Sequence, residues 1–221
     1  MDLWRSAAEA NAVPDDAKLA EARAKVGCEK VILDANQMSV RFAVEGMKLD
    51  LGGIAKGYAI DKAVEAMRNY GAVGGMVDVG GNIRCFGTPP KGKTHWLIGL
   101  QDPDVKSEIH FEMDKPLLKL KLNNAAVATS GHYRRFALIQ GKKYSHIIDT
   151  KTSSSSDKLA SVTIIAKDAI TADALSTAVI VLGAEKGLAL IEETPDTEAI
   201  LITSPPTYEI IKTVGAEKYI K

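Results

Sequence analysis

The sequence predicts an α+β fold, a mixed and largely antiparallel sheet with a few packed helices, forming one domain over residues 1–221. Three observations carry that expectation. Strand-like runs follow one another without strict strand–helix alternation. A few helical stretches lie among them. Neither an internal repeat nor a long linker divides the chain.

Taken in order, "DDAKLAEARAKVG" after Pro14 reads as a helix, with acidic residues in its first turn, basic ones later and Gly27 as its stop. "KVILDANQMSVRFAV" predicts two short strands joined through an Asn/Gln turn. In "MKLDLGGIAKGYAIDKAVEAMRNYGA" an extended segment reaches Asp50, turns on Gly52-Gly53 and becomes a helix that ends at Gly71. "GGMVDVGGNIRCFG", "HWLIGLQDP", "EIHFEM" and "LLKLKLNNAAVATSG" suggest a continuous antiparallel meander. "RRFALIQGKKYSHIID" carries the signature of a hairpin around a Gly-containing turn, and "TKTSSSSDK" that of a surface loop. "LASVTIIAK" reads as a buried strand and "DAITADALSTAVIVLG" as a helix capped by Asp168. "EKGLALIEETP" is a second helix, and "EAILITSPPTYEIIKTVG" supplies two last strands.

Composition narrows the function classes. The chain is 46% hydrophobic and 25% charged, with a formal net charge of zero and no long basic run. Nucleic acid and anionic membranes therefore have little to attract them, which leaves small molecules and proteins as partners. Cys28 and Cys85 are too few for a disulfide framework and lack zinc-site spacing, so both read as unremarkable buried thiols. The first residues show no basic segment followed by an apolar one, and no run approaches the ~20 apolar residues of a membrane span.

Several segments hold residues suited to chemistry. In "TADALSTAVIVLG", Asp173, Ser176 and Thr177 stand at i, i+3 and i+4, on one helical face. A carboxylate and two hydroxyls together suit Mg²⁺ or Ca²⁺, while a Ser/Thr pair bonding back into its own helix explains them equally well. "LDLGGIAKGY" combines adjacent glycines, a helix start and Lys56, an arrangement that fits an anionic ligand or a simple tight turn, with Asp50 as a cap. Gly80-Gly81-Asn82 and Thr129-Ser130-Gly131 are further small-residue turns. His146, at a strand end with Asp149 three residues later, has the chemistry of a general base, although such a histidine is also a common structural residue.

In this order, "LDLGGIAKGYAID", "VDVGGNI", "AVATSGHYRRF", "SHIID", "ASVTIIA" and "TADALSTAVIVLG" resemble the ApbE family of FAD:protein FMN transferases, from near Trp4 to about residue 195. The resemblance implies an ApbE-like domain that uses Mg²⁺ to cleave FAD, joins FMN through a phosphoester to a Thr or Ser of an acceptor protein, and releases AMP. It also leaves open an FAD pyrophosphatase giving FMN and AMP, or a non-catalytic flavin-binding scaffold. Carried over by position, it implies metal ligation by Asp173, Thr177 and the main chain of Gly53, with a weaker or water-mediated contribution from Ser176. Asp50, Lys56 and Ile147 fall at FAD-contacting positions, and His146 at that of the base. The implied partners are FAD and an acceptor flavoprotein, with a homodimer as one way among others to replace the shortened N-terminal part; the implied location is extracytoplasmic. Two departures add expectations: a domain shortened at the N-terminus relative to the family, and a looser loop where "HIIDTKTSSSSDK" lacks the usual Pro and Gly.

Overall fold

The computed structural model describes residues 2–103, 116–131 and 136–221. Its first elements are helices α1 (Asp2–Ala10) and α2 (Asp16–Ala24), strands β1 (Val31–Asp34) and β2 (Ser39–Phe42), and helix α3 (Ala55–Asn69). Strands β3 (Gly74–Val79), β4 (Asn82–Gly87), β5 (Trp96–Leu100), β6 (Leu118–Leu122), β7 (Ala126–Gly131), β8 (Phe136–Ile139), β9 (Lys142–Ser145) and β10 (Leu159–Ala166) follow. Helices α4 (Ala169–Leu182) and α5 (Ala184–Glu192) and strands β11 (Glu198–Thr203) and β12 (Ile210–Lys212) complete the chain before a 3-10 turn at Val214–Tyr219. Among the described residues no helix is long and apolar enough to cross a membrane. The chain forms two compact units, one of Met1–Asp50 with Arg135–Ser156, the other of Leu51–Arg134 with Asp157–Lys221.

The first unit is built from α1, α2 and the hairpins β1–β2 and β8–β9. Its small core gathers Trp4, Ala7 and Ile139, with the Trp4 and Tyr144 rings 5.0 Å apart. The α2 start follows its sequence signal, for the Asp15 carboxylate accepts from the N–H groups of Ala17 and Lys18. In the β1–β2 turn Asp34 accepts from the N–H groups of Asn36 and Gln37, an Asx turn that explains the Asn/Gln signal. The α1 helix was not expected; it is short, and its burial of Trp4 and Ala7 supplies what local propensity does not.

The expected loose loop after His146 is instead organised. Ile148 and Ser155 form an isolated bridge, and the Asp149 carboxylate accepts from the Lys151 N–H. Trp4 Nε1 donates to the Ser153 carbonyl at 3.0 Å, and Arg23 reaches Ser153 Oγ and the Thr152 carbonyl. Hydrogen bonds supply the shape that Pro and Gly would otherwise impose.

The second unit is organised on a six-stranded antiparallel sheet in the order β12-β11-β10-β7-β4-β3. Partners opposed in register share a face. One face carries Ile83, Val127, Ile165 and Ile200, which join Ile98, Leu100, Leu120 and Leu122 of the β5–β6 hairpin in the main core. The other face carries Ala128, Ser130, Val162 and Ile164, against which α4 packs. Every residue of β10 is buried, as its apolar run predicts.

The meander expectation needs correction. Among the described residues β5 pairs only with β6, and β4 pairs with β7 across the intervening hairpin, because pairing follows burial of both sheet faces rather than chain order. The expected strand "EIHFEM" lies outside the described residues. Gly80 and Gly81, with φ of 63° and 90°, form the two-residue turn that closes β3 on β4. The whole arrangement is the mixed, largely antiparallel α+β fold that the sequence predicts.

Candidate metal centre

Two helices meet at the site, and their contact depends on one missing side chain. A Cβ placed on Gly57 of α3 would lie 2.3 Å from the Ala169 carbonyl oxygen and 2.6 Å from the Ile170 Cα, so only glycine lets α3 and the start of α4 approach this closely. The α4 N-terminus is well satisfied. Asp168 accepts from the Thr171 N–H, and Asp61 of α3 accepts from the N–H groups of Ala169 and Ile170 while pairing with Arg84 of β4. These contacts fix α4 against α3 and β4.

Asp173 lies one turn into α4 with a side chain only 2% exposed. Three donors hold its carboxylate. Asn82 Nδ2 reaches Oδ1 at 2.7 Å, Lys56 Nζ reaches Oδ1 at 2.9 Å, and the Gly57 N–H reaches Oδ2 at 2.9 Å. The ion pair with Lys56 balances a charge that burial would otherwise strongly disfavour. Residues from α3, β4 and α4, up to 117 positions apart, therefore converge on one carboxylate.

The hydroxyls beside it are not equivalent. Ser176 Oγ and Thr177 Oγ1 both donate to the Asp173 carbonyl, at 2.9 and 3.3 Å, as the helix-internal alternative anticipated. Ser130 Oγ on β7 lies 2.9 Å from Ser176 Oγ and 3.2 Å from Thr177 Oγ1. A hydroxyl has one proton and two lone pairs. With Ser130 nearer to it, fully buried Ser176 is enclosed between β7 and its own helix. Thr177 is half-buried, and its donation to Asp173 leaves oxygen lone pairs for another electrophile.

Gly53 meets this corner from the turn before α3. A Cβ there would lie 3.2 Å from Thr177 Oγ1, so the bare glycine leaves space against that hydroxyl. The structure thus brings Gly53, Lys56, Asp173, Ser176 and Thr177 together within the second unit. Asn82, Ser130 and the Gly57 N–H join them. No sequence signal identified these three as part of the site: Asn82 follows the expected Gly80-Gly81 turn, whereas Thr129-Ser130-Gly131, expected as a turn, is the end of strand β7, whose pairing with β10 presents Ser130 to α4.

A carboxylate, a hydroxyl and a main-chain carbonyl make a hard-oxygen donor set that fits Mg²⁺ better than zinc. Among the described residues no three His, Cys, Asp or Glu side chains gather as a metal cluster. A cation beside Asp173 would therefore draw much of its shell from neutral oxygens, water or phosphate.

Asp50, His146 and Ile147 belong to the first unit. Asp50 and His146 are exposed, His146 immediately after β9. Ile147 is buried, with its N–H donating to Ser145 Oγ at 3.0 Å and its carbonyl accepting from the Ser156 N–H at 2.9 Å.

A family model described as the ApbE family matches residues 1–201. The FAD:protein FMN transferase of Klebsiella pneumoniae is 34% identical over 202 residues, covering 91% of this chain and 60% of that protein. The one of Treponema pallidum is 36% identical over 213 residues, covering 90% and 57%. Among solved structures, the ApbE protein of Thermotoga maritima superposes with a TM-score of 0.82 at 33% identity, covering 95% of this chain and 65% of that one. The flavin transferase ApbE of Vibrio cholerae gives 0.78 at 27% identity, covering 94% and 63%. The chain spans about three fifths of the length of these curated relatives. With the family model spanning most of its length, the chain belongs to the ApbE family.

Proposed function

We propose that this chain carries out Mg²⁺-dependent transfer of FMN from FAD to a Thr or Ser hydroxyl of an acceptor protein, with release of AMP. The observation that carries the proposal is the convergence of Asp173, Thr177 and Gly53 on one corner, a donor set matched to a hard divalent cation. The names of the relatives support the flavin chemistry. In the reaction the acceptor oxygen forms a new bond to the FMN phosphorus, the diphosphate P–O bond breaks, and AMP leaves with the bridging oxygen. A bound Mg²⁺ would supply charge neutralisation at the diphosphate.

The protein's own residues account for the rest. Asp173 is held in one orientation by Asn82 and the Gly57 N–H, so it is positioned before substrate arrives. Ser176 braces α4 against Ser130, leaving Thr177 as the hydroxyl that would hold the cation. For His146 the family resemblance supports the role of base that takes the acceptor proton, and for Asp50, Lys56 and Ile147 it supports contact with FAD. The acceptor is a flavoprotein, and the resemblance favours a location outside the cytoplasm.

The test is incubation with FAD, Mg²⁺ and an acceptor domain bearing a flavinylation threonine, followed by in-gel flavin fluorescence and assay of AMP. Fluorescent acceptor with stoichiometric AMP is expected. FMN and AMP with unlabelled acceptor would instead assign a hydrolase, and FAD binding without either product would assign a flavin-binding protein. His146→Ala is expected to lose acceptor labelling and keep FAD binding; an unchanged labelling rate would remove it as the base.

A further inference from the structure

Lys56 occupies Asp173 where a cation is proposed to sit. We propose that Lys56 is a stand-in for that cation: its ammonium neutralises Asp173 in the metal-free protein and is exchanged for the divalent ion when one binds. The inference rests on the metal reading of Asp173 given above.

Three features carry it. Asp173 is 2% exposed, so its carboxylate requires a positive partner whether or not metal is present, and Lys56 Nζ at 2.9 Å supplies one. The Lys56 side chain is 40% exposed on a flexible stem, so its ammonium can return to water without breaking other packing. Asp173 also keeps two donors that do not depend on Lys56, the Asn82 amide on Oδ1 and the Gly57 N–H on Oδ2, which hold the carboxylate in place during the exchange.

Nearby Arg84 and Asp61 show what a permanent pair looks like. Both are only 18% exposed, and Asp61 is locked by two backbone N–H groups as well as by the guanidinium. Lys56 has the opposite character, a point charge with a route to solvent. A lysine and a divalent ion sharing a single carboxylate would repel each other, which is what drives the ammonium out. The exchange sets it free in the first turn of α3 for an anionic group, linking metal binding to recruitment of a phosphate-bearing substrate.

The experiment measures Mn²⁺ binding by electron paramagnetic resonance, and thermal midpoints with EDTA or saturating Mn²⁺, for the full chain and for K56M, K56R and D173A. K56M is expected to bind Mn²⁺ roughly tenfold tighter than the parent, and K56R to stay within about threefold of it. In EDTA the K56M midpoint is expected about 5 °C below the parent, with most of that deficit gone in Mn²⁺. If K56M does not fold, K56Q takes its place with the same expectations. Parent-like or weaker Mn²⁺ binding by the neutral variant, an undiminished deficit, or equally tight binding by K56R overturns the exchange while leaving the metal site standing. Mn²⁺ binding that survives in D173A overturns the metal site and the exchange with it.

Discussion

The Asn82 side-chain amide, at the start of β4, donates to Asp173 Oδ1 at 2.7 Å across 91 residues of sequence, with both residues buried. This bond joins the Gly80-Gly81 hairpin to the α4 helix and fixes the direction in which the carboxylate presents its oxygens. Hydrogen bonds from neighbouring groups orient metal-ligating carboxylates and raise their affinity for the ion. Asn82→Ala is therefore expected to weaken Mg²⁺ or Mn²⁺ binding by about 10- to 100-fold, measured by titration calorimetry. Affinity equal to the parent's would show that Lys56 and Gly57 orient Asp173 without it.

The close approach of α3 to α4 gives a second expectation. Gly57→Ala places a methyl group 2.3 Å from the Ala169 carbonyl oxygen, a backbone atom that cannot swing aside. The helices must separate, with a loss of about 1–3 kcal/mol, read from urea unfolding. Because the Gly57 N–H also holds Asp173, cation affinity should fall in the same variant. An unchanged unfolding midpoint would mean the contact is readily relieved.

The two thiols should differ sharply in reactivity. Against the expectation of two buried thiols Cys28 is exposed, whereas burial in the main core pushes the Cys85 thiol up to about 12. A raised thiol pKa keeps Cys85 protonated, and so unreactive, until strongly alkaline pH. At pH 8 a disulfide reagent should modify one thiol in the folded protein and two in denaturant. Rapid modification of both in the native state would contradict the burial of β4.

Local signals in the sequence were legible where a residue acts within a few positions of itself. Asp168 before an apolar run marks the α4 cap, paired glycines mark the β3–β4 turn, and Gln140-Gly141 marks the β8–β9 hairpin. The i, i+3, i+4 grouping of Asp173, Ser176 and Thr177 was legible for the same reason, since helical spacing alone places them together. What spacing could not distinguish was sealed Ser176 from half-buried Thr177, because Ser130, on a strand 46 residues away, makes the difference. Strand order was equally hidden: the pairing of β4 with β7 depends on which faces are covered by α4 and by the β5–β6 hairpin. The capture of Asp173 by Asn82 and the Gly57 N–H is likewise a product of tertiary packing, invisible to any local pattern.

On the proposed reading, oxygens of Asp173, Thr177 and Gly53 hold one divalent cation. Anomalous diffraction from crystals soaked in Mn²⁺ tests it most directly. A single strong peak is expected within about 2.5 Å of an Asp173 carboxylate oxygen and of Thr177 Oγ1, with the Gly53 carbonyl turned toward it and Lys56 Nζ displaced from Asp173. A peak elsewhere, or a protein saturated with Mn²⁺ in which Lys56 still sits on Asp173 and no ion lies beside Thr177, would contradict it.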